Sequence, residues 1–120
     1  MTFDWQENLK LARFLRGQPG DGFAREAALR SAVSRAYYAA FCHARNRARD
    51  EHGFRPTGTP EDHRLVQDFL RRLGLHAAAD DLDDLRKWRN ACDYDDVVHN
   101  ADAVADSAIR RAQAVVNATG

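Results

Sequence analysis

Arg89 is the residue whose type and position most clearly indicate chemistry. The apolar stripe of the fourth predicted helix is marked by Leu82, Leu85 and Cys92, and Arg89 falls in the same phase. An arginine on a buried face is costly unless its charge is paired or faces a groove. Asp93 lies one turn later, so a structural Arg89–Asp93 pair is one interpretation. The other is a contact to a phosphate or an RNA backbone, because a guanidinium binds phosphate through two parallel hydrogen bonds.

A second candidate surface lies on the long second helix that the sequence predicts. Polar, aromatic and thiol side chains recur there at three- and four-residue spacing, at Ser31, Arg35, Tyr38, Cys42, Arg45 and Arg49. Arginines interleaved with a tyrosine can follow a nucleic-acid backbone and stack on a base. This makes Arg35, Tyr38 and Arg45 candidate RNA-binding residues. The alternative is a solvated face on which the arginine stems cover alanine.

No metal or cofactor site is predicted. The five histidines lack the spacing of metal ligands and stand at His43, His52, His63, His76 and His99. The chain has no glycine-rich phosphate loop and no serine in a nucleophile context. Cys42 and Cys92 have no C-x-x-C spacing, so we expect two buried, reduced thiols.

Glycine, proline and capping residues divide the chain into five predicted helices. Their expected bounds are Asp4 to Gly17, 22–52 with Asp21 as N-cap, Thr59 to Gly74, 75 to about 95, and Asn100 to about 117. Isolated pairs of β-branched residues do not indicate a strand. We therefore predict an all-α fold, an up-down antiparallel bundle of four to five helices with a long second helix.

Helical periodicity also predicts the core of this bundle. The stripes are Leu29, Val33, Ala36, Tyr37, Ala40, Phe41 and Ala44 in the second helix, Val66, Phe69, Leu70 and Leu73 in the third, and Val104, Ala105, Ala108, Ala112 and Val115 in the last. Many of these residues are alanine, which lets helices approach closely but buries little area. A core this thin would gain stability from a dimer interface.

Composition limits the classes of protein to which the chain can belong. Its 120 residues suit one domain, 1–120. Lys+Arg and Asp+Glu are 18 each, so no net charge attracts the chain to nucleic acid or membranes. The longest apolar stretch, 36–42, is too short to span a membrane, and the N-terminus does not resemble a secretory signal. Together with the reduced cysteines, this predicts a cytoplasmic protein.

Three patches of the chain resemble small stand-alone HEPN-domain proteins. Residues 34–44, SRAYYAAFCHA, are similar to the SRAYYAAFHA stretch of that family. His63, Val66 and Phe69 resemble the H-x-x-V-x-x-F opening of the family's third helix, and residues 89–94, RNACDY, resemble its R-x-x-x-D-Y patch. The patches occur in the family's order and tie together about residues 25–96.

The resemblance implies a helical bundle, usually a homodimer, whose signature arginines face a shared cleft. Many members are toxins of toxin–antitoxin pairs or parts of antiviral systems, often encoded beside a minimal nucleotidyltransferase. Active members are metal-independent endoribonucleases with an R-x₄₋₆-H motif. In that motif the arginine holds the scissile phosphate, and the histidine assists attack by the neighbouring 2′-hydroxyl.

The chain departs from that motif after Arg89. The histidine would fall at residues 94–96, which hold Tyr94 and two aspartates. His99 follows ten residues after Arg89, about 15 Å along a continuous helix. His99 can contact Arg89 only if the chain turns back on itself, or if the two residues meet across a dimer interface. Asp93 paired with an arginine would have a lowered pKa, and Tyr94 is a weak base.

Three functions follow from these observations. The first is a dimeric protein that binds RNA or a partner, such as a nucleotidyltransferase antitoxin, without efficient cleavage. The second is a metal-independent endoribonuclease toxin that uses Arg89 with Asp93, Tyr94 or a displaced His99. The third is a purely structural oligomerisation module.

Overall fold

The described part of the chain is all-helical. The computed structural model describes residues 2–120, and it contains five helices and no strand in that range. They are α1 Gln6–Arg16, α2 Arg25–His52, α3 Asp62–Arg72, α4 His76–Tyr94 and α5 Ala101–Thr119. The predicted all-α fold with a long second helix is confirmed. No helix within residues 2–120 combines the length and apolar character needed to cross a membrane.

Helix α2 is the centre of the bundle. It packs against each of the other four helices, which surround it in the order α1, α5, α4, α3. The predicted stripe of α2 is buried along its whole length, including Tyr37, which has no exposed surface. Small side chains such as Ala36 and Ala40 let the neighbouring helices approach the α2 backbone closely.

The predicted stripes of the shorter helices are buried with few exceptions. Val66 and Leu70 of α3 are buried, whereas Phe69 is partly buried and Leu73, just beyond the helix, is exposed. In α5 every predicted core residue is buried except Val104, which is partly buried.

The predicted end of α2 at Gly53 is confirmed. Gly53 adopts φ +76°, and its neighbour Phe54 donates its backbone N–H to the carbonyl of Ala48 at 3.1 Å. Glycine is the residue that reaches this left-handed conformation without steric cost. A glycine at this position therefore ends the helix and turns the chain toward α3.

Two predicted helix starts are too early. Helix α2 begins at Arg25 rather than residue 22, and Asp21 does not cap it. Helix α3 begins at Asp62, because Thr59 and Pro60 lie in a turn that precedes it. In both cases the residues with capping character belong to the connection that precedes the helix.

Asp62 shapes the connection between α2 and α3. Its buried carboxylate accepts the backbone N–H of Thr57 at 2.9 Å and that of Gly58 at 2.9 Å, together with the Thr57 hydroxyl at 2.7 Å. Burial alone would raise the pKa of Asp62, but these hydrogen bonds together outweigh burial and hold the pKa below its usual value. The ionised carboxylate therefore stabilises the loop that leads into α3.

Replacing Asp62 with asparagine is expected to lower the free energy of unfolding by about 1–3 kcal/mol at pH 7, because hydrogen bonds to a charged acceptor are lost. Since the folded-state pKa is depressed, this stabilisation is present above the unfolded-state pKa and is lost as the pH falls through the folded-state value. Urea unfolding at pH 7 and pH 3 measures both effects. A difference between wild type and Asp62→Asn that stays constant down to pH 3 would contradict this role.

Candidate anion site between α2, α3 and α4

Arg89 lies on the inner side of α4 with its side chain only 11% exposed. Its guanidinium carbon is 5.4 Å from the ring centroid of Tyr37 and 5.4 Å from that of Tyr38. Within residues 2–120, Asp93 is the one carboxylate with which it forms an ion pair, at 3.6 Å, which is longer than a hydrogen bond of good geometry. The Nε atom of Arg89 is buried and has no hydrogen-bond partner within residues 2–120. The pair with Asp93 therefore satisfies the guanidinium only in part.

Arg86 joins Arg89 one turn earlier on α4. Its Nε atom is also buried without a partner among the described residues. Arg86 was not among the predicted site residues, although its three-residue spacing from Arg89 places both on neighbouring positions of one helix face. A buried donor without an acceptor costs about 1–3 kcal/mol. Two such donors on neighbouring arginines of one helix face indicate a position at which an external hydrogen-bond acceptor can bind.

Tyr37 of α2 and His63 of α3 lie close to these two arginines. The Tyr37 hydroxyl and His63 Nδ1 form a hydrogen bond, and their rings stack at a centroid distance of 5.6 Å. Phe41 also stacks on His63, and the centroids of these two rings are 4.4 Å apart. His63 was recognised in the sequence only as part of a family-like patch, and no local pattern relates it to Arg89. We call Tyr37, Tyr38, His63, Arg86 and Arg89 the arginine cluster.

Burial and charge set the protonation states in the arginine cluster. Burial raises the pKa of the Tyr37 hydroxyl, although the charges of Arg86 and Arg89 oppose that rise. Burial also lowers the pKa of His63, and the same two guanidinium charges lower it further. Both partners of the Tyr37–His63 hydrogen bond are consequently neutral at pH 7, while the arginines carry the positive charge.

The predicted arginine face of α2 is divided in two. Arg35 lies 5.5 Å from the centroid of Tyr38, so that Tyr38 contacts the guanidinium groups of both Arg35 and Arg89. Cys42 is buried and interrupts the face. Beyond it, Arg45 lies 5.9 Å from the Phe41 centroid, on the periphery of the cluster.

The remaining predicted site residues lie at the end of α4. Asp93 is close to Arg89 as described, whereas Tyr94 is 76% exposed and points away from the core. His99 is exposed in the connection 95–100, and in the described chain it makes no hydrogen bond or ion pair with Arg89. The structure therefore brings Asp93, but not His99, to Arg89.

Arg30 of α2 holds this end of α4 in place. Its guanidinium donates to the backbone carbonyls of Cys92 at 3.0 Å, Asp95 at 2.6 Å and Asp96 at 3.2 Å. These carbonyls belong to the last turn and the exit of α4, which have no partners within the helix. By donating hydrogen bonds to these carbonyls, Arg30 fixes the end of α4 relative to α2. It thereby helps to set the position of Arg89 relative to Tyr38.

The chemistry available to the cluster is anion binding. It combines two guanidinium groups with unpartnered donors, a tyrosine flanked by arginines, and a neutral histidine. No group of three or more His, Cys, Asp or Glu side chains within residues 2–120 is arranged to hold a metal ion. An oxyanion such as phosphate would supply the acceptors that Arg86 and Arg89 lack.

The sequence matches no family model, and no curated protein or solved structure is significantly similar to it. The likeness to HEPN proteins consequently stays a prediction from the three sequence patches.

Proposed function

We propose that this chain is a HEPN-like protein that binds RNA through backbone phosphate at the arginine cluster. The observation that carries the proposal is the pair of buried Nε atoms on Arg86 and Arg89 with no acceptor in the described chain. Buried polar groups are rarely left unpaired, so an unpaired donor on a charged group calls for a ligand. A phosphate accepts several hydrogen bonds from guanidinium groups and carries the opposite charge.

Tyr38 favours RNA over a small free anion. Its half-buried ring lies close to the guanidinium groups of both Arg35 and Arg89, and bases of single-stranded RNA stack on aromatic rings and on arginine planes. A nucleotide that places its phosphate on Arg89 has a stacking surface beside it. Because the net charge of the chain is zero, this attraction must be local to the cluster.

Efficient cleavage by the family's R-x₄₋₆-H route is not part of the proposal. Tyr94 points outward, His99 makes no hydrogen bond or ion pair with Arg89 within residues 2–120 of one chain, and Asp93 is an ion-pair partner. The resemblance further supports a cytoplasmic homodimer with a partner such as a nucleotidyltransferase antitoxin in a toxin–antitoxin or antiviral system. Sedimentation equilibrium tests the dimer, and co-purification from the native operon tests the partner.

Retention of a labelled single-stranded RNA on filters tests the proposed function. We expect salt-sensitive binding, in which each phosphate contact contributes about 0.7 to the slope of log affinity against log salt concentration. The Arg110→Ala variant is a matched control, because Arg110 is exposed on α5, outside the cluster. Wild-type protein that retains no RNA at low salt would contradict the proposal and favour a structural module.

A further inference from the structure

We propose that a cavity between the N-terminal segment, residues 2–6, and α2 binds one unpaired base of the RNA whose phosphate lies on the arginine cluster. This inference rests on the proposed function, since the arginine cluster must hold the RNA strand. It adds to that strand a second contact, a pocket that takes a base and not a phosphate.

The cavity has the size and the mixed lining of a site for a small polar ring. Its volume is about 410 Å³, within the range usual for small-molecule sites. Aromatic and polar side chains both line it, among them Phe3, Trp5, His43, Asn46, Arg47 and Arg49. A nucleobase combines the same two characters, because its faces are aromatic and its edge carries hydrogen-bonding groups.

Phe3 and Trp5 form the aromatic side of the cavity. Their ring centroids are 4.9 Å apart and their planes meet at 81°, so the edge of one ring faces the other. Phe3 is 55% exposed, and Trp5 is partly exposed. Exposed aromatic rings beside a polar cavity give a base a surface on which to stack.

His43 supplies the cavity with a hydrogen-bonding group. It is only 9% exposed, and its buried Nε2 atom has no partner within residues 2–120. Burial is the main cause that lowers the pKa of His43, and the charge of Arg47 lowers it further. Asp4 and Glu51 oppose this shift without reversing it. The imidazole is therefore neutral at pH 7, with one nitrogen that donates and one that accepts.

Asn46 adds a second hydrogen-bonding group on the same side of the cavity. It follows His43 by three residues, a spacing that places both on neighbouring positions of one helix face. The side-chain oxygen of Asn46 accepts the Nε–H of Arg45 at 3.0 Å, which leaves the NH₂ group of the amide as a donor for a ligand. The edge of one base can contact both side chains.

The charges beside the cavity favour an uncharged base over a phosphate. Arg47 pairs with Glu51 at 2.7 Å, and Arg49 pairs with Asp50 at 2.8 Å. These guanidinium groups already have carboxylate partners, unlike the Nε atoms of the arginine cluster. A ligand in the cavity therefore does not need to bring a negative charge.

Arg45 connects the cavity to the arginine cluster. Its guanidinium carbon is 5.9 Å from the ring centroid of Trp5 and 5.9 Å from that of Phe41, which stacks on His63. Arg45 follows Tyr38 by seven residues on one face of α2, about 10 Å along the helix. Stacked nucleotides rise about 3.4 Å each, so about three nucleotides span this distance. One short RNA strand can reach both places.

Filter retention of a labelled single-stranded RNA by the Phe3→Ala variant tests the base pocket. We expect its affinity to fall about tenfold, or about 1.4 kcal/mol, which lies within the contribution of one base stacked on an aromatic ring. Phe14→Ala is the matched control, because Phe14 is 62% exposed on α1 and does not line the cavity. It should retain RNA like wild type. Circular dichroism checks that both variants are folded.

The fluorescence of Trp5 provides a measurement that a structural role of the N-terminal segment would not produce. The chain has two tryptophans, so the Trp88→Phe variant reports on Trp5 alone. A single-stranded RNA should quench this fluorescence saturably, because a base stacks against the aromatic side of the cavity. An abasic oligonucleotide of equal length should still be retained through its phosphates but should not quench. This measurement decides the matter if Phe3→Ala does not fold.

The remaining outcomes separate this inference from the proposed function. RNA that wild type, Phe3→Ala and Phe14→Ala retain equally well overturns the base pocket and leaves phosphate binding at the arginine cluster intact. Retained RNA that leaves the fluorescence of Trp5 unchanged also overturns the pocket. RNA that wild type does not retain overturns both.

Discussion

RNA retention by the Arg89→Ala variant is expected to fall at least about tenfold at low salt. A hydrogen bond to a charged group contributes about 1.5–3 kcal/mol, and about 1.4 kcal/mol corresponds to a tenfold change in affinity. Arg89 is the group on which the loss should be largest, because it contacts both tyrosines of the cluster and its Nε has no acceptor in the part of the chain that the structure describes. Its removal should also reduce the salt slope.

Two matched variants show whether this loss is specific. Arg110→Ala removes an exposed arginine from α5 and should bind RNA like wild type. Arg89→Lys keeps the charge but loses the planar fork, so its binding should lie between those of wild type and Arg89→Ala. Equal losses in Arg89→Ala and Arg110→Ala would show that the cluster is not the binding site.

The Arg89→Met variant distinguishes the two interpretations that the sequence left open for Arg89. If the Arg89–Asp93 pair were a structural requirement, Arg89→Met would unfold at a clearly lower temperature than wild type. We expect its melting temperature to be unchanged or raised instead, because a partly satisfied buried cation costs stability that an apolar side chain of similar volume does not. Thermal unfolding followed by circular dichroism measures the difference.

The Tyr37→Ala variant is expected to lose about 3–5 kcal/mol of unfolding free energy, the largest stability effect that we predict for a single substitution. Tyr37 is fully buried at the centre of α2, and its ring contacts Tyr38, Phe41 and His63. Truncation would leave a cavity where α2, α3 and α4 meet. Urea unfolding monitored by tryptophan fluorescence measures the loss.

The Tyr37→Phe variant distinguishes the contribution of the ring to stability from that of the hydroxyl. It should cost only about 1 kcal/mol, because the ring still fills the core and only the hydrogen bond to His63 is lost. RNA retention should be close to that of wild type, because Arg86 and Arg89 remain in place. A cost for Tyr37→Phe as large as that for Tyr37→Ala would mean that the hydroxyl, and not the packing, holds this part of the core.

Much of the fold was predictable because its signals are local. Gly53 ends α2 through its own backbone conformation, and the apolar stripe around Val33 and Tyr37 follows the repeat of a single helix. The starts of α2 and α3 were predicted too early. Asp21 resembles a cap but does not act as one, and Thr59, the predicted cap of α3, lies in the loop whose backbone N–H groups Asp62 binds. Capping character identifies residues that bind backbone N–H groups, but which groups they bind depends on the path of the loop.

The candidate site, too, was predictable only where its signal lies within a single helix. The sequence by itself determined that Arg89 faces inward, because its phase relative to Leu85 and Cys92 is a property of one helix. Only the tertiary structure decided that Tyr37 meets His63, 26 residues away on another helix. The same packing left the Nε atoms of Arg86 and Arg89 without acceptors among the residues that the structure describes. The physical reason is that helical periodicity fixes the direction of a side chain within its own helix, whereas contacts between helices depend on how all the faces pack together.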